Sequence, residues 1–218
     1  MTNSRNNRWT LNLSVAVFAA IAPAANNIES PGKMGVITKP VSLKRETLAR
    51  ALGLKKGTSG KILDATAGLA RDSFILASLG FTIQLVERSP IIHALLEDGI
   101  ARGLQDETIK PIIQRLHLIQ GNAITLLPSL EIKERPAFIY VDPMFPDKSK
   151  SALAKKDMQI FQDIVGPDSD AELLLKVALT CATQRVVVKR PRLASYLAGV
   201  TPSFSHTGTS SRFDIYLT

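Results

Sequence analysis

From Lys61 to the C-terminus, short apolar runs alternate with stretches whose apolar residues recur every three or four positions. The runs predict strands and the periodic stretches predict helices. Ile62 and Leu63 lead as a buried strand into a small-residue loop, Asp64-Ala65-Thr66-Ala67-Gly68. Residues 71–79 form an apolar-faced helix stopped by Gly80, and residues 81–86 a β-rich strand closed by Glu87. Ser89 caps a helix running towards Arg102; Leu116-His117-Leu118-Ile119 is a third strand, followed by Gly121-Asn122 and a short helix. Ala137-Phe138-Ile139-Tyr140-Val141 is a continuous apolar strand ending at Asp142. Helices are predicted over about 154–164 and 169–182, a fifth strand over 185–189, and two last strands near 200–206 and 213–217.

Continuously hydrophobic strands alternating with helices imply an α/β fold whose parallel sheet is covered on both faces. No helix long enough for a crossover separates the last two strands, so they suit an antiparallel hairpin at a sheet edge. Ligands of such open sheets sit outside the carboxyl ends of the strands. Those ends carry the Asp64–Gly68 loop, Glu87, Asn122 and Asp142-Pro143-Met144-Phe145-Pro146. Upstream, residues 26–40 read as a loop, and Ser42 as the cap of a helix reaching about Leu52 and ended by Gly53. The chain thus divides into a basic N-terminal region with one helix, residues 1–60, and a main domain, residues 61–218.

Charge sharpens that division. The 218 residues carry a net charge of +8. Residues 1–60 hold nine Lys or Arg against Glu29 and Glu46, whereas the remainder is almost balanced. A basic lobe beside a near-neutral one suits a polyanionic partner. The single cysteine, Cys181, excludes an intramolecular disulfide, and His93, His117 and His206 lie too far apart for a local metal motif, so no metal is expected. Arg5 and Arg8 before the apolar run 11–22 imitate a secretory signal. That run is interrupted by Asn12 and Ser14, is too short to span a membrane, and precedes no disulfide framework. A cytoplasmic protein without membrane contact is expected.

The strand ends suggest a chemistry. Small residues after Asp64 let backbone approach a ligand, and the next helix offers unpaired N–H groups. Glu87, nineteen residues beyond Gly68, can accept from both hydroxyls of an adenosine ribose. In Asp142-Pro143-Met144-Phe145-Pro146 two prolines fix a turn with few donors. The Asp142 carboxylate and the rigid Pro143 carbonyl can accept from an exocyclic amine, while Phe145 offers a face on which a base can stack.

Asp142-Pro-Met-Phe-Pro146 resembles the Asn/Asp-Pro-Pro-Tyr/Phe signature of amino-group methyltransferases that use S-adenosylmethionine. Together with Asp64-Ala-Thr-Ala-Gly-Leu-Ala-Arg-Asp72, the basic run 148–156, Val186-Val-Val-Lys-Arg-Pro191 and Arg212-Phe-Asp-Ile-Tyr216, it resembles the RsmJ family, bacterial 16S rRNA guanine-N2 methyltransferases. The likeness runs from about Leu43 to the C-terminus, and residues 1–36 depart from it. It implies a Rossmann-like class I methyltransferase fold with a mostly parallel seven-stranded sheet. It implies S-adenosylmethionine as cofactor and 16S rRNA, free or in the small ribosomal subunit, as partner. The cofactor positions it implies are Arg71, Asp72, Glu87, Arg88, Asn122, Ala123 and Asp142, beside Asp64 and Gly68 of the first loop. Asp142, Pro143 and Phe145 form the expected catalytic turn. Lys148, Lys150, Lys155, Lys156 and Arg190 are the expected RNA contacts, with Lys189 and Arg192 also placed to hold phosphates.

Other readings remain at this level. The amine signature is shared with enzymes acting on adenine N6 or a protein glutamine. A nicotinamide dehydrogenase is disfavoured by the absence of a strict Gly-x-Gly-x-x-Gly, and a non-catalytic RNA-binding scaffold by the intact acid and aromatic of the turn.

Overall fold

A computed structural model describes residues 46–143, 170–209 and 211–218. The expected helix over 154–164 and the Ser42 cap lie outside the described residues. Among them the first helix is α1 (Thr47–Ala51), capped by the Glu46 carboxylate, which accepts from the Leu48 N–H. The chain continues through β1 (Ile62–Asp64), α2 (Arg71–Ser78), β2 (Ile83–Glu87), α3 (Pro90–Gly103) and α4 (Lys110–Ile113). It then forms β3 (Leu116–Gln120), α5 (Ala123–Ser129), β4 (Phe138–Val141), α6 (Ala171–Cys181), β5 (Arg185–Pro191), β6 (Phe204–Thr207) and β7 (Ser211–Leu217). The short α4, and 3-10 turns at Ile132–Glu134 and Leu197–Gly199, were not anticipated from the sequence. Where the last pair of strands was expected to start near Val200, that residue ends the second 3-10 turn and β6 begins at Phe204.

The strands form one sheet in the order β3-β2-β1-β4-β5-β7-β6. The first five are mutually parallel, and β7 runs antiparallel to both β5 and β6. The closing hairpin is therefore at the sheet edge, as the missing crossover required. Every residue of β1 and β4 is buried. This accounts for their continuous apolar sequences, since a central parallel strand has helices on both sides.

Strand alternation sorts the core into two layers. Ile62, Ile83, Phe138, Tyr140 and Val187 pack on one face with α1, α2 and Leu96 of α3. Leu63, Val86, Ile139, Val141, Val186 and Val188 pack on the other with α5 and α6. Leu48, Ala49, Ala51, Leu52 and Leu54 belong to the first layer and are at most 5% exposed. The helix expected in the basic N-terminal region thus packs as an integral part of the sheet domain. The Arg185 guanidinium reinforces this by donating to the Ala51 carbonyl.

The entry to β1 is tight. Gly60 has φ +121°, and a Cβ there would lie 2.7 Å from the Ala137 Cβ at the start of β4. Gly60→Ala should therefore destabilise the fold by about 1–3 kcal/mol, through a disfavoured φ and forced separation of β1 from β4. Thermal unfolding checks this; an unchanged midpoint would mean that the loop absorbs the methyl group.

Candidate active site

The loop between β1 and α2 is pinned by its first residue. Asp64 is 2% exposed; its Oδ1 accepts from the Thr66 N–H (3.1 Å) and its Oδ2 from the Ser73 hydroxyl (2.6 Å). Burial pushes its carboxyl up to about 7 despite those two bonds, and the nearby Asp72 and Asp142 add to the rise. The loop turns through left-handed backbone at Gly68 (φ 52°) and again at Ala70 (φ 52°), a conformation that costs a residue with a Cβ about 1 kcal/mol or more. Ala70 is 1% exposed and its carbonyl accepts from the Phe74 N–H, so packing and the first helical bond hold it there.

Beside this loop a cleft opens at the carboxyl ends of β1, β2 and β3. Its rim is polar, with Glu87, Arg88, Asn122 and Asp170, and its walls include Val86, Ile124 and Leu174. Glu87 is 6% exposed; Oε2 accepts from the Gly68 N–H (2.9 Å) and Oε1 from the Ser89 N–H (2.7 Å). These backbone donors orient a carboxylate that accepts about four hydrogen bonds in all. Asn122 caps α5, its Oδ1 accepting from the Ile124 N–H, which turns its amide donor to other use. Arg88 donates to both oxygens of Asp170 at 2.8 and 2.9 Å, closing one side of the cleft.

A second polar cluster lies on the α2 face. The Asp142 N–H donates to Thr66 Oγ1 (2.7 Å), tying the end of β4 to the first loop. Lys189 Nζ donates to Asp142 Oδ2 (3.0 Å) and Asp72 Oδ2 (2.7 Å), and the Tyr140 hydroxyl donates to that same Asp72 oxygen. Burial and the neighbouring carboxylates raise the Tyr140 phenol well above its ordinary value, so it remains a donor.

The residues expected at the site thus separate. Gly68, Glu87, Arg88, Asn122 and Ala123 line the cleft. Asp64 does not line it, because its carboxylate is committed to its own loop. Asp72 and Asp142 are joined through Lys189, Pro143 is buried beside Asp142, and Arg71 is exposed. Arg190, expected to meet RNA, is instead 7% exposed, with Nε and Nη2 donating to the Ser195 carbonyl. Arg190 is still within β5, on the strand face of Val186 and Val188 that the core covers, whereas Arg192 lies beyond the strand's last residue and is exposed. Phe145, Lys148, Lys150, Lys155 and Lys156 lie outside the described residues.

Comparison with known proteins settles the family. A family model described as "Putative SAM-dependent methyltransferase" matches residues 30–218. "Ribosomal RNA small subunit methyltransferase J" of Nitrosococcus oceani is 49% identical over 187 residues, covering 86% of this chain and 74% of the relative. The protein of the same name from Thioalkalivibrio sulfidiphilus is 46% identical over 207 residues, covering 94% and 81%. This chain belongs to the RsmJ family. A SAM-dependent methyltransferase of Neisseria gonorrhoeae with a solved crystal structure is similar to it, with a TM-score of 0.64 and 39% identity over 80% of this chain and 69% of that one. The fold is the Rossmann-like methyltransferase fold, and this RsmJ-family chain is an S-adenosylmethionine-dependent methyltransferase. The alignment with the Thioalkalivibrio protein covers 94% of this chain and so reaches into residues 1–36, while the family model begins at residue 30.

The cleft suits that cofactor. The Glu87 carboxylate, held by two backbone donors, has further acceptor capacity of the kind that ribose hydroxyls require, and apolar walls from Val86, Ile124 and Leu174 suit a flat purine. Asp170 and Thr66 were not singled out in the sequence. Asp170 reads there as an ordinary helix start, and Thr66 as one small residue among several. Among the described residues no group of three or more His, Cys, Asp or Glu is placed to hold a metal, and no helix is long and apolar enough to cross a membrane.

Two outcomes follow from this geometry. Glu87→Ala should weaken S-adenosylmethionine binding by about 1.5–3 kcal/mol, or roughly 10–150-fold, by calorimetry. Unchanged affinity in a folded variant would remove Glu87 from cofactor recognition. The second concerns Asp64, whose carboxyl titrates at about 7 when folded against an ordinary 3.8. Between those values the unfolded chain has lost a proton that the folded chain keeps, so this group's stabilising contribution declines as pH rises through the window. Asn has no such proton, so melting curves of Asp64→Asn should gain on the wild type from pH 3.8 to about 7. A constant offset between the two would sink this account.

Proposed function

We propose that this enzyme transfers a methyl group to the exocyclic N2 of a guanosine in small-subunit (16S) rRNA, acting in the cytoplasm. The Asp142–Thr66–Lys189 arrangement at the end of β4, beside the cleft, carries the chemical part of the reading. The names of relatives at 46–49% identity support the substrate. When bound, S-adenosylmethionine supplies a methyl already activated by a sulfonium, so the chain's own work is alignment of the amine.

A guanine N2 has two N–H groups and a lone pair delocalised into the ring. The Asp142 carboxylate accepts from one N–H and the Pro143 carbonyl from the other, turning the nitrogen lone pair towards the methyl. As positive charge develops on nitrogen, the carboxylate stabilises it, and the proton that N2 must then lose passes to Asp142 or to water. In this reading Glu87 holds the ribose and Asn122 with the Ala123 backbone meets the adenine. Arg71 and Asp72 contribute from the start of α2, Asp72 through its contact with Lys189. Phe145 stacks on the extruded base, offsetting part of the few kcal/mol that extrusion costs. Lys148, Lys150, Lys155, Lys156 and Arg192 hold phosphates, while Arg190 braces the loop after β5.

Mass spectrometry of nucleosides from rRNA incubated with the protein and labelled S-adenosylmethionine tests the reading. Label on N2-methylguanosine is expected; label on N6-methyladenosine, or on protein alone, would replace the substrate. Asp142→Ala should lower turnover at least about 100-fold while cofactor affinity falls much less. Equal losses in the two measurements would assign Asp142 to cofactor binding alone.

A further inference from the structure

Strand alternation carries Tyr140 of β4 and Lys189 of β5 to the same sheet face as Phe138 and Val187, where the first turn of α2 presents Asp72. Three carboxylates, Asp64, Asp72 and Asp142, act on one another there. Lys189 is bound to two of them. Its side chain is 27% exposed, too enclosed for an ordinary solvated lysine. Burial by itself would lower its ammonium, but Asp142 and Asp72 outweigh burial and raise it above the usual lysine value. It is therefore charged throughout the neutral range.

We infer that Lys189 is a positioning residue for methyl transfer, holding the Asp142 carboxylate in place and ionised beside Asp72. This rests on the reading of Asp142 as the acceptor of the substrate amine. The Thr66 hydroxyl fixes the Asp142 main chain, and the Lys189 ammonium fixes one oxygen of its side chain. The same ammonium binds an oxygen of Asp72, so it separates two like charges that would otherwise face each other. Without it the pair would favour taking up a proton. A protonated Asp142 could donate to the amine where acceptance is required. The titratable groups acting on this site among the described residues are Lys189 from β5, Asp72 from α2, Tyr140 from β4 and Asp64 from β1. Sequence alone places Lys189 with Arg190 and Arg192 as a phosphate contact; its two carboxylate partners give it a different task.

The test compares Lys189→Met, Lys189→Arg and Asp142→Asn in the full chain. Lys189→Met should lower kcat by roughly 10–100-fold with KM for rRNA within about twofold, as displacement of an aligning group does. The acid limb of its pH–rate profile should move up by about 1–3 units, and Lys189→Arg should restore that limb while recovering only part of kcat. Carbon-detected NMR titration of the Asp142 carboxyl, without cofactor or substrate, should move in the same direction in Lys189→Met. If that variant does not fold, Lys189→Gln carries the same expectation. An unmoved acid limb with an unmoved carboxyl titration overturns the inference. So does a raised KM with a flattened salt dependence of RNA affinity, which would return Lys189 to phosphate binding. Wild-type turnover in Asp142→Asn, whose amide oxygen still accepts, would overturn the need for an ionised carboxylate and with it the clamp. Wild-type turnover in Asp142→Ala would overturn the acceptor reading beneath it. An inactive Asp142→Asn with an unmoved titration in Lys189→Met would overturn the clamp alone.

Discussion

Asp64 closes the central strand β1 with a buried carboxylate whose two oxygens serve its own loop, one accepting from the Thr66 N–H and the other from the Ser73 hydroxyl. Thr66, so fixed, receives the Asp142 N–H at the end of β4. Two residues further, the Gly68 N–H meets Glu87 at the end of β2. The carboxyl ends of three adjacent strands are thus referred to one turn. Burying an acid in this way is unfavourable, and its carboxyl is pushed up to about 7 as a result. The acid's two hydrogen bonds partly offset that cost and tie the loop at Thr66 to the first turn of α2 at Ser73.

The sheet then divides labour between its faces. The cleft lies towards α5 and α6, with Ala65, Val86, Ala123 and Leu174 drawn from the core layer on that side. The Asp72–Lys189–Asp142 cluster lies towards α2, with Tyr140 from the other layer. Asp142, just beyond the last residue of β4, joins the two, its N–H bound to Thr66 of the first loop and its carboxylate to Lys189. In the proposed reaction this would place the holders of the two reactants on separately packed layers that share one rigid turn.

Basic residues at the carboxyl end of β5 serve two purposes. Arg190 and Arg212 turn inward and donate to the carbonyls of Arg192, Ala194 and Ser195, while Arg212 also pairs with the fully buried Asp214. Guanidinium groups suit this task because their fixed fork of donors can satisfy several carbonyls at once. Arg192 and Leu193 are displayed to solvent on the loop so braced. Net positive charge therefore overstates the surface available to a polyanion, since part of it is internal scaffolding.

Much of this architecture was legible in the chain. The apolar runs at 62–63, 137–141 and 186–188 announced buried parallel strands, and the short gap between the last two strands announced the antiparallel edge. These are local signals of period and length. Glu87 was legible because its distance from Gly68 is set by one helix and one strand. The partners of Asp72, Asp142 and Lys189 were not legible, for they lie 47 to 117 residues apart in pairs and meet only when β4, β5 and α2 share a face. Arg190 and Arg192 read alike in sequence, and only burial in the folded sheet made one a brace and the other a surface cation. Strand order decided these outcomes. Placing β4 between β1 and β5 brings their strand ends together, and no local pattern encodes which strands become neighbours.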